Sequence, residues 1–145
     1  MDKFMIYLPI RAIPKERVAW SRSNGKAYTK RRTKDFEMTV AQSCKNQMRG
    51  KEPLEIPLKV TIVSVFKIPK SWSKKKKEQA LNEEVVPDGA GIGDASNLAK
   101  SVEDGMNGIV YVDDKQIIDL RSLKKYGEQD EIFVFIEEFK GYDYP

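Results

Sequence analysis

The feature that most constrains the fold is a stretch of twelve residues from Pro57 to Ile68, PLKVTIVSVFKI. It alternates well enough, and contains enough β-branched residues, to predict a β-strand. Lys3–Ile10 (KFMIYLPI) predicts another strand, which its proline and Pro14 bring to an end. The remaining predicted strands are Ile109–Tyr111 and a hairpin of Lys115–Lys124 with Glu131–Phe139 around Gly127.

Three segments between these strands are predicted helices, because each shows helical spacing or a capping residue. They are Lys34–Met48 with Thr33 as its cap and Gly50 as its stop, the basic run KKKKEQAL after Ser71 or Ser73, and Ala95–Asn107 between Asp94 and the left-handed cap Gly108. The resulting order, β-α-β-α-α-β-β, predicts an α/β (α+β) fold. We expect one domain over residues 1–145, with a mixed β-sheet and helices packed on it.

Two residue counts exclude several classes of enzyme. Histidine is absent and cysteine occurs once, at Cys44, which rules out Ser-His-Asp and Cys-His catalysis, histidine-bound or multi-cysteine zinc, and internal disulfides. A lone cysteine predicts a small buried side chain and fits a reducing compartment. Carboxylates, Lys, Arg, Tyr and Ser remain for chemistry, together with a divalent ion such as Mg²⁺, which needs only oxygen ligands.

Membrane and export signals are missing from the sequence. The longest apolar-rich run is too short to span a bilayer. The N-terminus lacks the charged-then-apolar pattern of a signal peptide. The sequence therefore predicts a cytoplasmic protein.

Charge is divided unevenly along the chain. Residues 1–82 contain 20 Lys and Arg against 7 Asp and Glu, a balance of +13, whereas residues 83–145 contain 6 against 15, a balance of −9. The formal net charge of +4 hides this asymmetry, which points to a nucleic-acid partner. Clustered basic residues in and around an irregular loop are predicted to contact DNA: Arg11, Arg17, Arg22, Lys30, Arg31 and Arg32.

Two further features of the basic half allow alternative interpretations. Trp20 and Tyr28 either stack on unpaired bases or pack their loop onto the sheet. The run Lys74–Lys77 is either an ordinary solvated face or a DNA contact. The sequence alone does not decide between these alternatives.

The acidic half contains two features that suggest a metal site. Asp94 begins a helix after three glycines in five residues, and glycine lets backbone or phosphate approach closely. About twenty residues later, Asp113 and Asp114 are neighbouring carboxylates, which repel each other unless they share a cation. The simpler alternatives are a plain N-cap for Asp94 and an ordinary polar turn for the pair.

These residues belong to a longer motif. Gly93–Lys100 (GDASNLAK), Glu103–Gly108 (EDGMNG) and Asp113–Ile117 (DDKQI) resemble the RusA family of Holliday-junction resolvases. The family signature is Asp-x-Asp-Asn-Leu-x-Lys, a helix that ends near Asn-Gly, and then Asp-Asp-x-Gln-Val/Ile. The N-terminal strand, the basic loop and Tyr28-Thr29 resemble the family more weakly, so the resemblance covers essentially the whole chain.

The resemblance implies a homodimeric endodeoxyribonuclease that cuts four-way DNA junctions in recombination and repair, using Mg²⁺ or Mn²⁺ held by aspartates. By position, Asp94 and Asp114 are catalytic metal ligands and Lys100 is the catalytic lysine. Asp113 and Asp104 match further acidic positions, the former within the metal site. Because the family is common in phages, a phage origin is the family-level expectation.

Ser96 departs from the family pattern, since it stands where the motif has its second carboxylate. A serine hydroxyl can ligate Mg²⁺ but carries no charge, so we expect a lower metal affinity. Three interpretations remain open. Glu103 or Asp88 compensates for the lost carboxylate, Ser96 and water suffice, or the chain is a weakly active or non-catalytic junction-binding protein.

Overall fold

The computed structural model describes residues 3–16, 19–28 and 30–144. Within these ranges the chain forms six strands and three α-helices: β1 Phe4–Leu8, β2 Ala19–Trp20, β3 Ala27–Tyr28, α1 Arg31–Met48, β4 Leu58–Lys67, α2 Lys74–Leu81, α3 Ala95–Met106, β5 Ile117–Gly127 and β6 Glu131–Glu138. A 3₁₀ turn at Asp114–Gln116 leads into β5. The predicted α+β fold is confirmed, as one small domain with a mixed sheet.

Strand β4, predicted from its β-branched pattern, lies inside the main sheet. The sheet has the order β1-β6-β4-β5, in which β4 is parallel to β5 and antiparallel to β6. Strand β1 pairs antiparallel with β6 at one edge. Strands β2 and β3 form a separate two-stranded hairpin within the basic loop.

The predicted hairpin of the last two strands is wrong. Strands β5 and β6 lie on opposite sides of β4, and residues 128–130 carry the chain across the end of β4. This crossing is held by hydrogen bonds, because the Lys67 N–H donates to Asp130 Oδ1 at 2.8 Å and the Ile68 N–H donates to the Gly127 carbonyl at 3.0 Å. A strongly apolar β4 gains more by pairing on both edges than by lying at the sheet edge.

The helices α1 and α3 cover one face of the sheet and pack against each other. Their close approach depends on Gly105, because a Cβ atom there would lie 2.6 Å from Cβ of Val40. The buried core includes Val60 and Ile62 of β4 together with Cys44, as predicted for a lone cysteine. Burial raises the pKa of the Cys44 thiol to about 12, so this thiol is unreactive.

Two local predictions need correction. Helix α1 begins at Arg31, with Lys30 at the N-cap, so Thr33 is a buried residue inside the helix and its hydroxyl donates to Glu16 instead of capping. The predicted strand Ile109–Tyr111 is a turn, in which Tyr111 makes only isolated bridges, to Leu54 and Asn107. In both places a nearby polar partner or a tertiary contact overrides the local pattern.

The second face of the sheet is not covered by a helix layer within the described ranges. Its alternating residues include Val63, Phe133 and Phe135, which line an open groove of about 480 Å³. On the same face Leu123 is 43% exposed and Met5 is 46% exposed. The molecule therefore has one sheet face in its core and one face toward solvent that carries an apolar patch.

The free edge of β1 is partly closed by a side chain. The Gln47 amide accepts a hydrogen bond from the Tyr7 N–H at 2.9 Å and donates one to the Tyr7 carbonyl at 2.7 Å. No helix in the described ranges is both long and apolar enough to cross a membrane.

Candidate nuclease site

The N-terminal end of α3 presents a carboxylate that the helix does not use. Gly93 has φ +97, and a Cβ there would lie 2.8 Å from Cβ of Pro14, so the chain needs glycine at this point. Asp94 follows at the N-cap position, but its side chain makes no capping hydrogen bond. Its exposed carboxylate accepts only a long contact of 3.5 Å from Asn97 Nδ2. Asp94 therefore lies at the predicted N-cap position without the side-chain hydrogen bond of a cap.

Lys100 joins the two parts of the motif. Its Nζ lies 3.2 Å from Asp114 Oδ2 and 3.2 Å from Asp104 Oδ1, one turn further along α3. The hydrogen bond to Asp114 raises the pKa of Lys100 most, and the hydrogen bond to Asp104 raises it further. Together they outweigh burial, which lowers this pKa. Lys100 is therefore a fixed cation at neutral pH.

Lys15 extends this cluster, although no sequence pattern indicated it. Its Nζ lies 3.0 Å from Asp104 Oδ2 and also pairs with Glu37 of α1. Its backbone N–H donates to the Asn97 carbonyl of α3 at 3.0 Å. Burial lowers the pKa of Lys15, but hydrogen bonds to Glu37 and Asp104 outweigh burial and leave the pKa raised. Asp104 is thus held between two ammonium groups.

Two side chains of strand β5 donate hydrogen bonds to the backbone at the beginning of α3. The Ser122 hydroxyl donates to the Ala95 carbonyl at 2.7 Å, and Lys124 Nζ donates to the Gly93 carbonyl at 3.0 Å. Residues two apart on a strand face the same side, so both contacts come from one face of β5. Lys124 thus contacts the residue before Asp94, a role that the sequence did not indicate.

Asp113 and Asp114 have different surroundings. Asp113 Oδ1 accepts the Lys115 N–H at 2.9 Å, while its own N–H donates to Gln116 Oε1 at 2.8 Å. The hydrogen bond from Lys115 is the main reason that the pKa of Asp113 is lowered. Gln116 in turn donates to the Leu54 carbonyl at 2.8 Å. Asp113 therefore orders the turn, and this turn directs Asp114 toward Lys100.

The three residues invoked around the missing carboxylate differ in position. Ser96 is exposed, and its hydroxyl makes no hydrogen bond with any described residue. Glu103 is half-buried near the Lys100 cluster, where burial raises its pKa and the Lys100 charge opposes that effect. Asp88 is exposed in the loop before α3, and its carboxylate has no partner among the described residues. Of the two acids proposed to compensate, only Glu103 interacts with Lys100, Asp104 and Asp114 within the described residues.

The acidic side chains of the motif do not form a closed metal-binding cluster among the described residues. The described part of the chain contains no group of three or more Asp, Glu or Cys side chains placed to hold a metal ion. Asp114 and Asp113 are engaged by protein donors, whereas the Asp94 carboxylate is exposed. The oxygens of Asp94, Asp114 and Ser96 fit a hard divalent cation by their chemistry, as a site with few charges that water would complete.

The residues predicted to contact DNA are largely exposed, but several are already paired within the protein. Arg11 lies 3.3 Å from Asp130 and stacks over the Phe66 ring at 5.0 Å. Lys30 pairs with Glu16 at 3.7 Å, and Arg31 pairs with Asp35 at 3.7 Å. Arg22 and Arg32 are exposed and have no ion pair among the described residues. Arg17 lies outside the described residues.

One of the two aromatic residues of the basic loop can be placed. Trp20 is 69% exposed on β2, so it does not pack the loop onto the sheet. The side chain of Tyr28 lies outside the described part of the chain. The exposed ring of Trp20 keeps the stacking interpretation open for this residue.

Comparison with known proteins identifies the family of this chain. The family model described as "Endodeoxyribonuclease RusA" matches residues 9–137. The chain is also 30% identical over 117 residues to the uncharacterized protein YqaN of Bacillus subtilis (strain 168), an alignment that covers 79% of this chain and 82% of that protein. The family match includes every element that carries the cluster, from Lys15 to Lys124.

Proposed function

This chain belongs to the RusA endodeoxyribonuclease family, and from that premise we propose that it resolves four-way DNA junctions by metal-dependent phosphodiester hydrolysis in recombination and repair. The observation that carries the proposal is the position of Lys100, 3.2 Å from Asp114. This contact brings together the helix and the turn of the motif, as a shared reaction centre requires. Asp94, with a carboxylate free of capping, lies at the beginning of the same helix.

Asp94 and Asp114 would hold Mg²⁺ or Mn²⁺, with the Ser96 hydroxyl and water completing the ligands. Such an ion supplies an activated water and neutralises the leaving oxygen. Asp113 acts as a positioning residue, because its hydrogen bonds fix the turn that carries Asp114. Lys124 holds the Gly93 carbonyl and so fixes the backbone that carries Asp94.

Lys100 acts as a charge rather than as a base. A lysine ammonium is protonated at neutral pH, and its ion pairs with Asp104 and Asp114 favour that form, so it donates hydrogen bonds and does not accept a proton. A fixed cation at this point stabilises the extra negative charge of the phosphorane-like transition state. Asp104 and Lys15 hold that cation in place from the side away from Asp114.

A second candidate is a weakly active or non-catalytic junction-binding protein. Two observations favour it. Ser96 contributes no charge, and among the described residues no three acids are placed to hold a metal ion. Both candidates require the same basic DNA-binding surface. Only the reaction separates them.

We also propose a homodimer, because two sites related by a two-fold axis suit paired cuts in a symmetric junction. The uncovered sheet face offers the contact surface. Val63, Phe133 and Phe135 line its groove, and Leu123 stands beside them. An exposed apolar patch of this kind is typical of a protein–protein interface.

The test is cleavage of a synthetic four-way junction with and without Mg²⁺ or Mn²⁺. We expect metal-dependent cleavage by the wild-type chain and its loss in Asp94→Asn and Asp114→Asn, because each variant removes a ligand charge. Asp143→Asn removes an exposed acid far along the chain and serves as the matched control. Undiminished cleavage by both site variants would contradict the assignment.

Ser96→Asp separates the two candidates. If the wild-type chain cuts junctions, restoring the carboxylate should raise its metal affinity, seen as cleavage at a lower Mg²⁺ concentration. If only Ser96→Asp cuts, the wild-type chain is a binding protein. Glu103→Gln and Asp88→Asn, tested in the wild-type background, show whether either acid compensates for Ser96.

A further inference from the structure

The first four residues of α2 are all lysines, and their charges are unpaired within the described ranges. Lys74–Lys77 follow Ser73, whose hydroxyl accepts the Lys76 N–H as a true N-cap. None of the four ammonium groups forms an ion pair with any described residue. By contrast, Arg11, Lys30 and Arg31 of the predicted DNA-contacting set each pair with an acid.

These lysines oppose the stability of the helix that carries them. Four neighbouring positive charges repel one another, and the beginning of a helix is the positive end of its dipole. The first turn of α2 contains no acid to offset this, and Ala80 is the one buried residue of the helix. Packing therefore does not explain the run, whereas a bound polyanion would relieve both electrostatic penalties.

The position of the lysines relates them to the candidate site. Lys76 Nζ lies 4.0 Å from the centre of the Trp72 ring, and Trp72 contacts the Tyr126 ring edge-on at 5.0 Å. Tyr126 is two residues beyond Lys124 on the same face of β5, a step of about 7 Å. Lys124 touches Gly93, the residue before Asp94. The lysine turn is thus connected to the Asp94 end of the site through Trp72, Tyr126 and Lys124.

A second contact fixes the other end of this segment. Lys125 Nζ pairs with Glu83, directly after α2, at 3.3 Å. The helix is therefore attached to the end of β5 on both sides, at Trp72 and at Glu83. Its lysines are held in one place relative to the site instead of on a free loop.

We propose that Lys74–Lys77 form a phosphate-binding surface that holds one duplex arm of the DNA next to the cleavage position. The proposal rests on the proposed function only in sharing its DNA substrate. Lysine ammoniums act as point charges on phosphates and read no base sequence. The surface therefore contributes affinity and positioning, not sequence preference.

The test measures binding to a junction in EDTA, where the divalent metal is removed and no cleavage interferes, as a function of salt. Lys74→Gln, Lys75→Gln and Lys77→Gln are combined, and Lys76 is kept for its contact with Trp72. The slope of log affinity against log salt should fall by about 0.9 for each phosphate that the variant no longer neutralises. Affinity at about 0.1 M salt should fall roughly tenfold.

The matched control combines Lys45→Gln, Arg49→Gln and Lys51→Gln. It removes three charges around the end of α1 that have no ion pair in the described ranges, and α1 packs against α3 and β1 whereas α2 packs against β5. This control should change affinity less than twofold and leave the slope within about 0.5 of the wild type. Replacing the same three α2 lysines by arginine should preserve the slope, because charge is what acts.

Thermal unfolding checks that the glutamine variant is folded, and we expect its Tm to equal or exceed that of the wild type. Equal salt slopes for the α2 variant and the wild type, or an equal reduction in the control, would overturn the proposal. The proposed function fails separately. A wild-type chain that binds junctions without cutting them disproves catalysis, while the lysine surface is still judged by the slopes.

Discussion

A single side chain, Lys100, holds together parts of the chain that are distant in sequence. It bridges Asp104 on its own helix and Asp114 in the turn before β5. The carboxylates of Asp104 and Asp114 are therefore bridged by one ammonium group. Substitutions at this cluster are the sharpest tests at the residue scale.

Lys100→Met removes the proposed transition-state charge and keeps most of the side-chain volume. We expect the cleavage rate to fall about 10²–10³-fold, as when one charge-stabilising donor is removed. Junction binding in EDTA should stay close to that of the wild type. Lys115→Met, which removes an exposed lysine in the adjacent turn, is the control and should keep cleavage. Equal cleavage by Lys100→Met and the control would disprove the role.

Lys15→Met should destabilise the protein, because Glu37 and Asp104 lose a shared cation. The expected decrease in the free energy of unfolding is about 1–2 kcal/mol at neutral pH, measured by urea unfolding. Since the pKa of Lys15 is raised in the folded state, its contribution is complete below the ordinary lysine pKa. It is lost as the pH rises through the raised value.

The difference in unfolding free energy between the wild type and Lys15→Met should therefore shrink at strongly alkaline pH. A difference that stays constant from pH 7 through the alkaline range would contradict this assignment. Lys26→Met, at an exposed lysine of the loop, serves as the control. It should show no difference from the wild type at any pH.

The positions of the motif residues could be predicted from the sequence, and those of their supporting residues could not. Asp94, Lys100 and Asp114 stand in a motif whose spacing is local. Lys15 acquires its role from partners on α1 and α3, so no pattern around Lys15 shows it. The role of Lys124 becomes apparent only when the structure shows β5 in contact with the beginning of α3.

At the scale of elements, the packing of α1 on α3 depends on one missing side chain. A Cβ at Gly105 would lie 2.6 Å from Cβ of Val40 and 3.1 Å from the Glu37 carbonyl oxygen. One helix must move away before any larger residue fits. The same movement would shift Asp104 relative to Lys15 of the loop.

Gly105→Ala should therefore destabilise the protein by about 1–3 kcal/mol from overpacking, although alanine favours the helix by up to about 1 kcal/mol. Denaturant unfolding measures the net change. Gly91→Ala is the matched control, since a Cβ there meets nothing within 4 Å. It should be neutral or slightly stabilising. A variant Gly105→Ala as stable as this control would show that the helices separate without cost.

The element types followed from the sequence more closely than their partners did. Strand β4 was predictable because five of its ten residues are β-branched. The pairing of β5 and β6 was not, because alternation says which residues share a face and nothing about which strand lies alongside. Only the burial of both edges of β4 decides that the last two strands separate.

For the whole molecule, the division of charge is less sharp in space than along the chain. Acids of the C-terminal half pair with bases of the N-terminal half, as in Asp130 with Arg11 and Asp104 with Lys15. The bases that remain unpaired among the described residues, above all Lys74–Lys77, are those that DNA would encounter. Counting charges along the sequence pointed to the partner, but only the fold shows which charges are available.

The dimer is a prediction about the uncovered sheet face. Sedimentation or light scattering should give twice the chain mass of 16.6 kDa for the wild type. Leu123→Lys places a charge on that face and should give the single-chain mass. Met38→Lys changes an exposed apolar residue on α1, 62% exposed, and should leave the dimer intact. A monomeric wild type, or a dimeric Leu123→Lys, would contradict the proposed interface.

The parallel pairing of β4 with β5 also governs the order in which the molecule folds. Leu58 pairs with Ile117, so the whole intervening segment, including α2 and α3, must be enclosed before this pairing exists. Contacts across such a separation form late, because the loop entropy is lost before the pairing is gained. Ser122 and Lys124, which hold the beginning of α3, lie on β5, so their contacts depend on this pairing. A chain that has opened at β5 therefore lacks the support that fixes the backbone around Asp94.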